Sequence, residues 1–200
     1  VEIILDLNEK EVNSNILGFY LRKGDLNGIP VGENWPTGVM YTTLNELYEK
    51  YKYKGEAAIV LKTKLIKNIY FPKFNNEKFL RETVFFDQIN NLAPMRLDNR
   101  VCYLFEYKED GYTAQGMKLE FKNPIGTGYN YLQRSKYTRY YLNKCKYIGM
   151  FYAWKSLMKV DHPLFKTIKI PIIIRIFGMI LKKHYHKLFS NYKERFINEI

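Results

Sequence analysis

Three short apolar runs alternate with segments of helical character, and this alternation restricts the fold more than any other feature. The runs, each about the length of a β-strand, span residues 16–21, 57–61 and 101–105. Before the second run, Thr43 and Glu46 have the spacing of a capping box, which predicts a helix of about three turns that Gly55 ends. A helix followed by a continuous apolar strand is typical of an α/β sheet covered on both faces. The sequence therefore predicts an α/β fold.

Other segments carry helix and turn patterns. Residues 2–12 have the pattern of the end of a helix, and residues 80–89 predict a further helix. Residues 108–111 form a polar turn signal, with Gly111 expected at positive φ. From Tyr129 onward, tyrosines and lysines intermix without strand signals. Two or three helices are therefore expected to complete the chain.

Composition places the chain among folded proteins. Its 200 residues are 46% hydrophobic and 16% aromatic, which is enough apolar surface for one folded domain. Two cysteines, Cys102 and Cys145, can build neither a disulfide framework nor, by themselves, a four-ligand zinc site. We therefore expect a reducing, cytoplasmic setting. Because the chain starts at Val1 without a methionine, we also expect it to be a piece of a longer protein.

The net charge of +12 is concentrated at one end of the chain. Residues 1–129 hold 17 Lys and Arg against 17 Asp and Glu, whereas residues 130–200 hold 15 against 3. A neutral body with a basic, aromatic tail suits a tail that faces a polyanion, either the phosphates of a nucleic acid or the headgroups of an anionic membrane. A solvated basic face is the third interpretation.

The most apolar part of this tail, residues 164–181, has about the length of a membrane span. Three basic residues interrupt it, each costing about 2.5–3.5 kcal/mol at the centre of a span, so we expect no transmembrane helix. If residues 171–183 are helical, Arg175, Gly178 and Lys182 lie opposite one broad apolar face. That face comprises Ile172, Ile173, Ile176, Phe177, Met179 and Ile180. A helix in the plane of an anionic bilayer and a core helix packed on the body both fit this pattern.

Common motifs for nucleophilic catalysis and phosphate binding are missing from the sequence. It contains no G-x-S-x-G, no G-x-G-x-x-G and no P-loop, and all three histidines lie in the basic tail without metal-binding spacing. A group of carboxylates remains among aromatic residues: Glu77, Glu82 and Asp87. On a helix, Glu82 and Asp87 lie about 140° apart around the axis, so one of them at most faces a given pocket. As an alternative to catalysis, Glu82 would lie near the start of this helix, where its negative charge complements the helix dipole.

Three segments in the middle of the chain carry a family resemblance. Residues 55–63 read GEAAIVLKT, residues 71–82 read FPKFNNEKFLRE, and residues 107–113 read YKEDGYT. In this order they resemble the G-D-x-x-x-V-x-K-T, F-P-x-F-x-x-E-K-F-x-x-E and Y-x-x-D-G-x-[ST] segments of the family 2 glycosyltransferases. These GT-A-fold enzymes transfer a sugar from a nucleotide-activated donor. Upstream, residues 32–43, with Trp35 and Pro36, resemble the variable link after the donor half of these enzymes, and with this stretch the likeness spans about half of the chain.

The resemblance implies an incomplete GT-A fold with a helical extension. Residues 1–128 would form the acceptor-side half, and residues 129–200 a basic, tyrosine-rich helical tail. In the family, the acidic residue that matches Glu82 is taken to be the general base that deprotonates the acceptor hydroxyl. Roles in binding the acceptor or supporting the site are implied for four further residues: Trp35 as a sugar platform, Glu56, Glu77 and Asp110.

The resemblance also implies cofactors and partners. Family members use a nucleotide-sugar donor, whose diphosphate an acidic D-x-D-type motif holds through Mn²⁺ or Mg²⁺. That motif is missing from these residues, so we expect the metal ligands outside this chain and no metal site within it. The implied activity is inverting transfer to a saccharide or lipid-linked acceptor in cell-surface polysaccharide synthesis. The expected location is the inner face of the plasma membrane, with the tail on anionic lipid.

Two rival functions remain at this stage. A nucleic-acid-binding module would use tail lysines on phosphates and would stack tyrosines on bases. The tyrosines available for this are Tyr129, Tyr131, Tyr137, Tyr140 and Tyr141. No RNP-type motif accompanies them, so we expect no nucleic-acid partner. A non-catalytic, membrane-associated fragment is the other alternative.

Overall fold

A computed structural model describes residues 2–12, 14–109 and 111–196 and confirms a mixed α/β chain. The chain divides into two compact units. The first comprises residues 1–69 and 88–107, and the second comprises residues 70–87 and 108–200. The second unit thus takes in residues from both sides of position 128, and the division at that position stays a prediction.

The first unit is built on a four-stranded sheet. Its elements in chain order are α1 (Glu2–Lys10), β1 (Gly18–Gly24), β2 (Tyr41–Thr42), a π-helical turn (Glu46–Lys50), β3 (Ala57–Leu61), α2 (Thr63–Ile66) and β4 (Met95–Leu104). The strand order is β2-β4-β1-β3. Strand β1 pairs in parallel with β4 and antiparallel with β3, and β2 pairs antiparallel with β4. The helix predicted at residues 2–12 forms as Glu2–Lys10, and the strand predicted at residues 16–21 forms two residues later, as Gly18–Gly24.

Strand β1 is the centre of this sheet. Six of its seven residues are buried, because β3 and β4 cover its two edges and α1 contributes to the core beside it. The buried cluster comprises Leu7, Ile16, Phe19, Leu21 and Ala58. Successive residues of a strand point to opposite faces of the sheet, so burial of consecutive residues shows that both faces of β1 are covered.

The two other apolar runs form strands, but they are less buried than predicted. Strand β3 lies at the edge of the sheet, and among its residues only Ala58 is buried. Strand β4 begins at Met95, and its last residues Tyr103 and Leu104 are about half exposed. Burial of both runs on two faces was therefore a wrong prediction, since an apolar run does not reveal whether its strand lies at the centre or at the edge.

The capping box forms, but its helix is short. The Glu46 N–H donates to Thr43 Oγ1 at 3.2 Å, and the Thr43 N–H donates to Glu46 Oε2 at 3.3 Å. The helix ends at Lys50 rather than at Gly55, so the prediction of three turns was wrong. Tyr53 packs its ring against Trp35 at a centroid distance of 4.8 Å. Between the helix and Tyr53, Lys52 has a φ of 56°, a left-handed conformation that does not continue an α-helix.

The second unit is helical. Its elements are α3 (Thr83–Ile89, whose last two residues belong to the first unit), α4 (Tyr112–Lys122), α5 (Pro124–Tyr137), α6 (Tyr141–Met158), a 3-10 turn (Pro163–Lys166) and α7 (Ile172–Phe196). Trp154 is fully buried at the centre of the core, where it stacks on Phe121. The predicted succession of helices after Tyr129 is confirmed.

Two local predictions in this unit were wrong. Helix α3 starts at Thr83, three residues later than predicted. Gly111 has a φ of −65°, and the positive φ belongs instead to Gly116, at +46°. Gly116 interrupts α4 with a kink, because a non-glycine residue rarely adopts that conformation.

Helix α7 packs closely on α6. A Cβ atom added to Gly178 would lie 2.9 Å from Ile148 Cβ, and one added to Gly149 would lie 2.8 Å from Leu181 Cβ. Facing glycines allow two helix backbones to approach this closely. In the part of the chain that is described, no helix has both the length and the apolar character needed to cross a bilayer.

Candidate functional site

The predicted catalytic residue lies in residues 74–87, a segment held by a row of buried polar side chains in the second unit. We call this row the polar ladder. Its members, each at most 4% exposed, are Glu120, Asn123, Asn130 and Gln133. Asn130 and Gln133 are three residues apart on α5, which places them on one face of that helix. Buried polar groups of this kind are stable only when they are hydrogen-bonded.

Glu77 attaches the segment to the start of α5. Its carboxylate oxygens accept the N–H groups of Ile125 at 2.6 Å and Gly126 at 2.7 Å. The first N–H groups of a helix lack partners within the helix, and a carboxylate there also complements the helix dipole. Burial raises the pKa of Glu77, and the two backbone hydrogen bonds oppose that rise. Glu77 therefore supports the segment.

Asn123 makes the next attachment. Its Oδ1 accepts the N–H groups of Lys78 at 2.8 Å and Phe79 at 3.0 Å, and its Nδ2 donates to the Leu119 carbonyl at 2.7 Å. One side chain thus satisfies backbone groups of the segment and of α4 at the same time.

The residues that flank Glu82 are also held by the ladder. Arg81 forms an ion pair with Glu120, whose side chain is 1% exposed. On the other side of Glu82, Thr83 Oγ1 donates to Asn130 Oδ1 at 2.6 Å. The backbone at position 82 is therefore fixed by side-chain contacts both before and after it.

Gln133 and Tyr131 complete these contacts. Gln133 Nε2 donates to the Val84 carbonyl, one residue beyond Thr83. Tyr131 Oη donates to the second carboxylate oxygen of Glu120 at 3.1 Å, so that both oxygens of this buried group have partners.

The carboxylate of Glu82 is open to solvent. Its side chain is exposed, and among the described residues none makes a hydrogen bond or an ion pair with it. Its backbone carbonyl accepts the N–H groups of Phe85 at 2.9 Å and Phe86 at 3.0 Å, so it lies at the first turn of α3. The arrangement is an open carboxylate on a fixed backbone. Such a group can accept a proton from a bound molecule.

Trp35 lies in the first unit and is 8% exposed. Its Nε1 donates to the Asp98 carbonyl at 2.8 Å, and its ring packs on Tyr53. It lines a cavity of about 590 Å³ together with Arg22 and Asn34. The predicted sugar platform therefore borders a cavity of ligand size, with only a small part of the ring open to it.

Sequence analysis missed Arg22 in this cavity wall. The residue is 2% exposed, and its guanidinium donates to Asn34 Oδ1 at 2.9 Å and to the Gly32 carbonyl at 3.0 Å. Among the described residues no carboxylate pairs with it. Its one sequence signal is its place directly after the apolar run Gly18–Leu21, where a charged side chain continues a buried strand.

The two remaining predicted site residues are Glu56 and Asp110. The Glu56 carboxylate accepts Lys23 Nζ at 2.8 Å and Tyr107 Oη at 2.7 Å. Burial raises its pKa, but these two hydrogen bonds outweigh that effect and lower it overall. Asp110 lies outside the described residues. Trp35 and Glu56 belong to the first unit, whereas Glu77 and Glu82 belong to the second.

A resident metal does not fit the side chains that are described. Within residues 2–12, 14–109 and 111–196, no three His, Cys, Asp or Glu side chains are grouped so that they could hold an ion. Comparisons with known protein families, with curated proteins and with solved structures find no match for this chain. Function is therefore inferred from the residues and their geometry.

Proposed function

We propose that this chain is the acceptor-side half of an inverting GT-A glycosyltransferase in which Glu82 is the general base. The observation that carries the proposal is the open carboxylate of Glu82 between Arg81 and Thr83, both of which are bound to the polar ladder. The α/β class and the resemblance of three segments to family 2 glycosyltransferases support it further.

In the proposed reaction the acceptor hydroxyl loses a proton and forms one bond, and the donor sugar loses its bond to the diphosphate. The acceptor hydroxyl lies within hydrogen-bonding distance of the Glu82 carboxylate and gives up its proton to it. The oxygen attacks the anomeric carbon of the donor sugar from the face opposite the diphosphate. The bond to the diphosphate breaks, and its electron pair leaves with the nucleoside diphosphate, so that the configuration inverts. A general base of this kind contributes about 10²–10⁴-fold in rate.

The polar ladder has a positioning role in this proposal. Catalysis by a general base depends on holding the base within hydrogen-bonding distance of the acceptor, and small displacements reduce the rate steeply. Glu77 and Asn123 fix the segment before the base, and Thr83 and Val84 fix it after the base. The polar ladder, Glu77 and Thr83 are thus assigned to positioning, and Glu82 alone is assigned to catalysis.

The donor side of the reaction lies outside these residues in the proposal. A divalent metal, when bound, would neutralise charge on the donor diphosphate, and its ligands are expected beyond this chain. Acceptor binding by Trp35, Glu56 and Asp110 rests on the family resemblance. A saccharide or lipid-linked acceptor in cell-surface polysaccharide synthesis completes the proposal.

The rival nucleic-acid function is disfavoured by the burial of the tail tyrosines. Tyr129 and Tyr131 are each 7% exposed and belong to the core of the second unit. A base-stacking platform needs exposed ring faces. Two of the five tyrosines that the rival function would use are therefore occupied by packing.

The test is sugar transfer by Glu82→Gln in the protein that carries this chain with its donor-binding half. Glutamine keeps the size of the side chain but cannot take the proton, so release of nucleoside diphosphate in the presence of acceptor should fall about 10²–10⁴-fold. Glu9→Gln, another exposed glutamate, on α1, is the matched control and should retain the parent rate. Transfer by Glu82→Gln at the parent rate would overturn the assignment.

A further inference from the structure

Helix α7 has two apolar faces, and the first is used for packing. Ile174 and Phe189 are 5% and 2% exposed, and both belong to the core of the second unit. Gly178 lies on the same face, against Ile148 of α6. Helix α7 therefore packs on the body, but through a face other than the one that the sequence grouped together.

The second apolar face is open to solvent. Its six residues are the ones that the sequence grouped together, and we call them the apolar arc. They are Ile172 (76% exposed), Ile173 (52%), Ile176 (49%), Phe177 (47%), Met179 (55%) and Ile180 (66%). At about 100° and 1.5 Å per residue, they cover roughly 160° of the helix circumference over about 12 Å. Contiguous apolar surface of this kind marks an interaction site in a water-exposed protein.

The surroundings of the apolar arc are positively charged. Residues 162–193 contain no Asp or Glu. They contain seven basic residues: Lys166, Lys169, Arg175, Lys182, Lys183, Lys187 and Lys193. A shallow cavity of about 450 Å³ beside α7 is lined by Lys155, Lys159 and Lys182. Asp161 also lines it, but that carboxylate is paired with Lys155 at 2.8 Å.

We propose that the apolar arc docks on a lipid bilayer with anionic headgroups, with α7 lying in the plane of the interface. Six apolar side chains would enter the boundary between headgroups and acyl chains, and the surrounding lysines would contact lipid phosphates or carboxylates. A nucleic acid would match the charge but would offer no apolar surface to the arc. An anionic membrane matches both features, because its acyl chains accept the exposed apolar face and its headgroups attract the surrounding basic residues.

Vesicle sedimentation tests the apolar part of this proposal. The parent chain should pellet with vesicles of phosphatidylserine and phosphatidylcholine. The triple variant Ile173→Ser, Ile176→Ser and Ile180→Ser should bind about 100-fold more weakly, because it loses three apolar side chains that would be buried in lipid. Leu26→Ser, Ile29→Ser and Met40→Ser, which replace residues that are 63%, 62% and 55% exposed elsewhere, form the matched control and should bind like the parent. Circular dichroism checks that both variants are folded.

A second variant tests the charge. Arg175→Gln, Lys182→Gln and Lys183→Gln together should weaken binding to anionic vesicles about 10–100-fold. Binding to vesicles of phosphatidylcholine alone should be weak for the parent and unchanged by these substitutions. Equal binding of the parent to neutral and anionic vesicles would overturn the electrostatic half of the proposal.

Two other outcomes would overturn the proposal altogether. Equal pelleting of the parent and the triple serine variant would show that the apolar arc does not contact lipid. A parent dimer in size-exclusion chromatography with light scattering, converted to a monomer by the triple serine variant, would show that the arc binds a second copy of this chain. Neither outcome depends on sugar transfer, so this proposal and that of Glu82 as general base can fail separately.

Discussion

Four carboxylates of this chain show how surroundings decide what one chemical group can do. Glu77 accepts two backbone N–H groups, Glu56 accepts a lysine and a tyrosine, and Asp98 faces an arginine. Glu82 differs, because its carboxylate has no such partner among the described residues. Of the four, it alone is free to receive a proton from a bound hydroxyl.

The Asp98 carboxylate gives a prediction about acid stability. Burial raises its pKa, but the Arg100 guanidinium, which approaches its two oxygens at 2.9 Å and 3.1 Å, outweighs burial and lowers the pKa below the ordinary 3.8. The ionised form therefore stabilises the fold above pH 3.8, and this stabilisation is lost as the pH falls through the lower folded-state pKa. The urea midpoint should fall with pH in this acidic range, and Asp98→Asn should make that fall shallower. An unchanged slope in Asp98→Asn would contradict the account.

The sequence singled out Glu82 and Glu77, but it did not reveal the other residues that hold the segment. Glu82 stands in a recognisable string, whereas Asn123, Asn130 and Gln133 have the sequence pattern of ordinary polar helix residues. Their burial follows from contacts with residues about 45 positions earlier in the chain, such as the bond from Lys78 N–H to Asn123. Arg22 was missed for a related reason, since its partners lie in a loop with no regular pattern.

At the scale of elements, local chemistry predicted the start of the helix after Thr43 better than its end. The capping box of Thr43 and Glu46 forms as expected, since it depends on residues three positions apart. The helix ends before Lys52, whose left-handed φ of 56° no local pattern predicted. Strand positions were also predicted, but the edge position of β3 follows from pairing across the sheet.

The contact between α6 and α7 gives a prediction at this scale. A side chain at position 178 would overlap Ile148, so Gly178→Val should force the two helices apart and destabilise the fold by about 1–3 kcal/mol. Met179→Val introduces the same side chain at an exposed neighbour and should stay within about 0.5 kcal/mol of the parent. Urea unfolding measures both variants. Equal stabilities would show that the helices do not approach at Gly178.

At the scale of the whole molecule, the uneven charge and the apolar tail were evident from the sequence. The sequence showed one apolar face of the tail helix but not the face through which this helix packs. The 3.6-residue period identified the apolar arc, because that period depends on neighbouring residues alone. It could not show that α7 uses its other face, with Gly178, to pack on α6. It also could not show that residues 70–87 belong with residues 108–200, since that grouping rests on long-range hydrogen bonds.

The central claim is that Glu82 acts in chemistry and Glu77 acts in structure, and one paired measurement tests it. Transfer rate and urea stability are measured for Glu82→Gln and for Glu77→Ala in the protein that carries the donor-binding half. Glu82→Gln should lose about 10²–10⁴-fold in transfer and keep the parent stability, because its side chain is exposed and unpaired. Glu77→Ala should lower stability by about 1–3 kcal/mol, because it leaves two N–H groups of α5 without partners, and its folded fraction should lose far less transfer. A Glu82→Gln variant that transfers sugar within about three-fold of the parent, or that unfolds as readily as Glu77→Ala, would contradict the account.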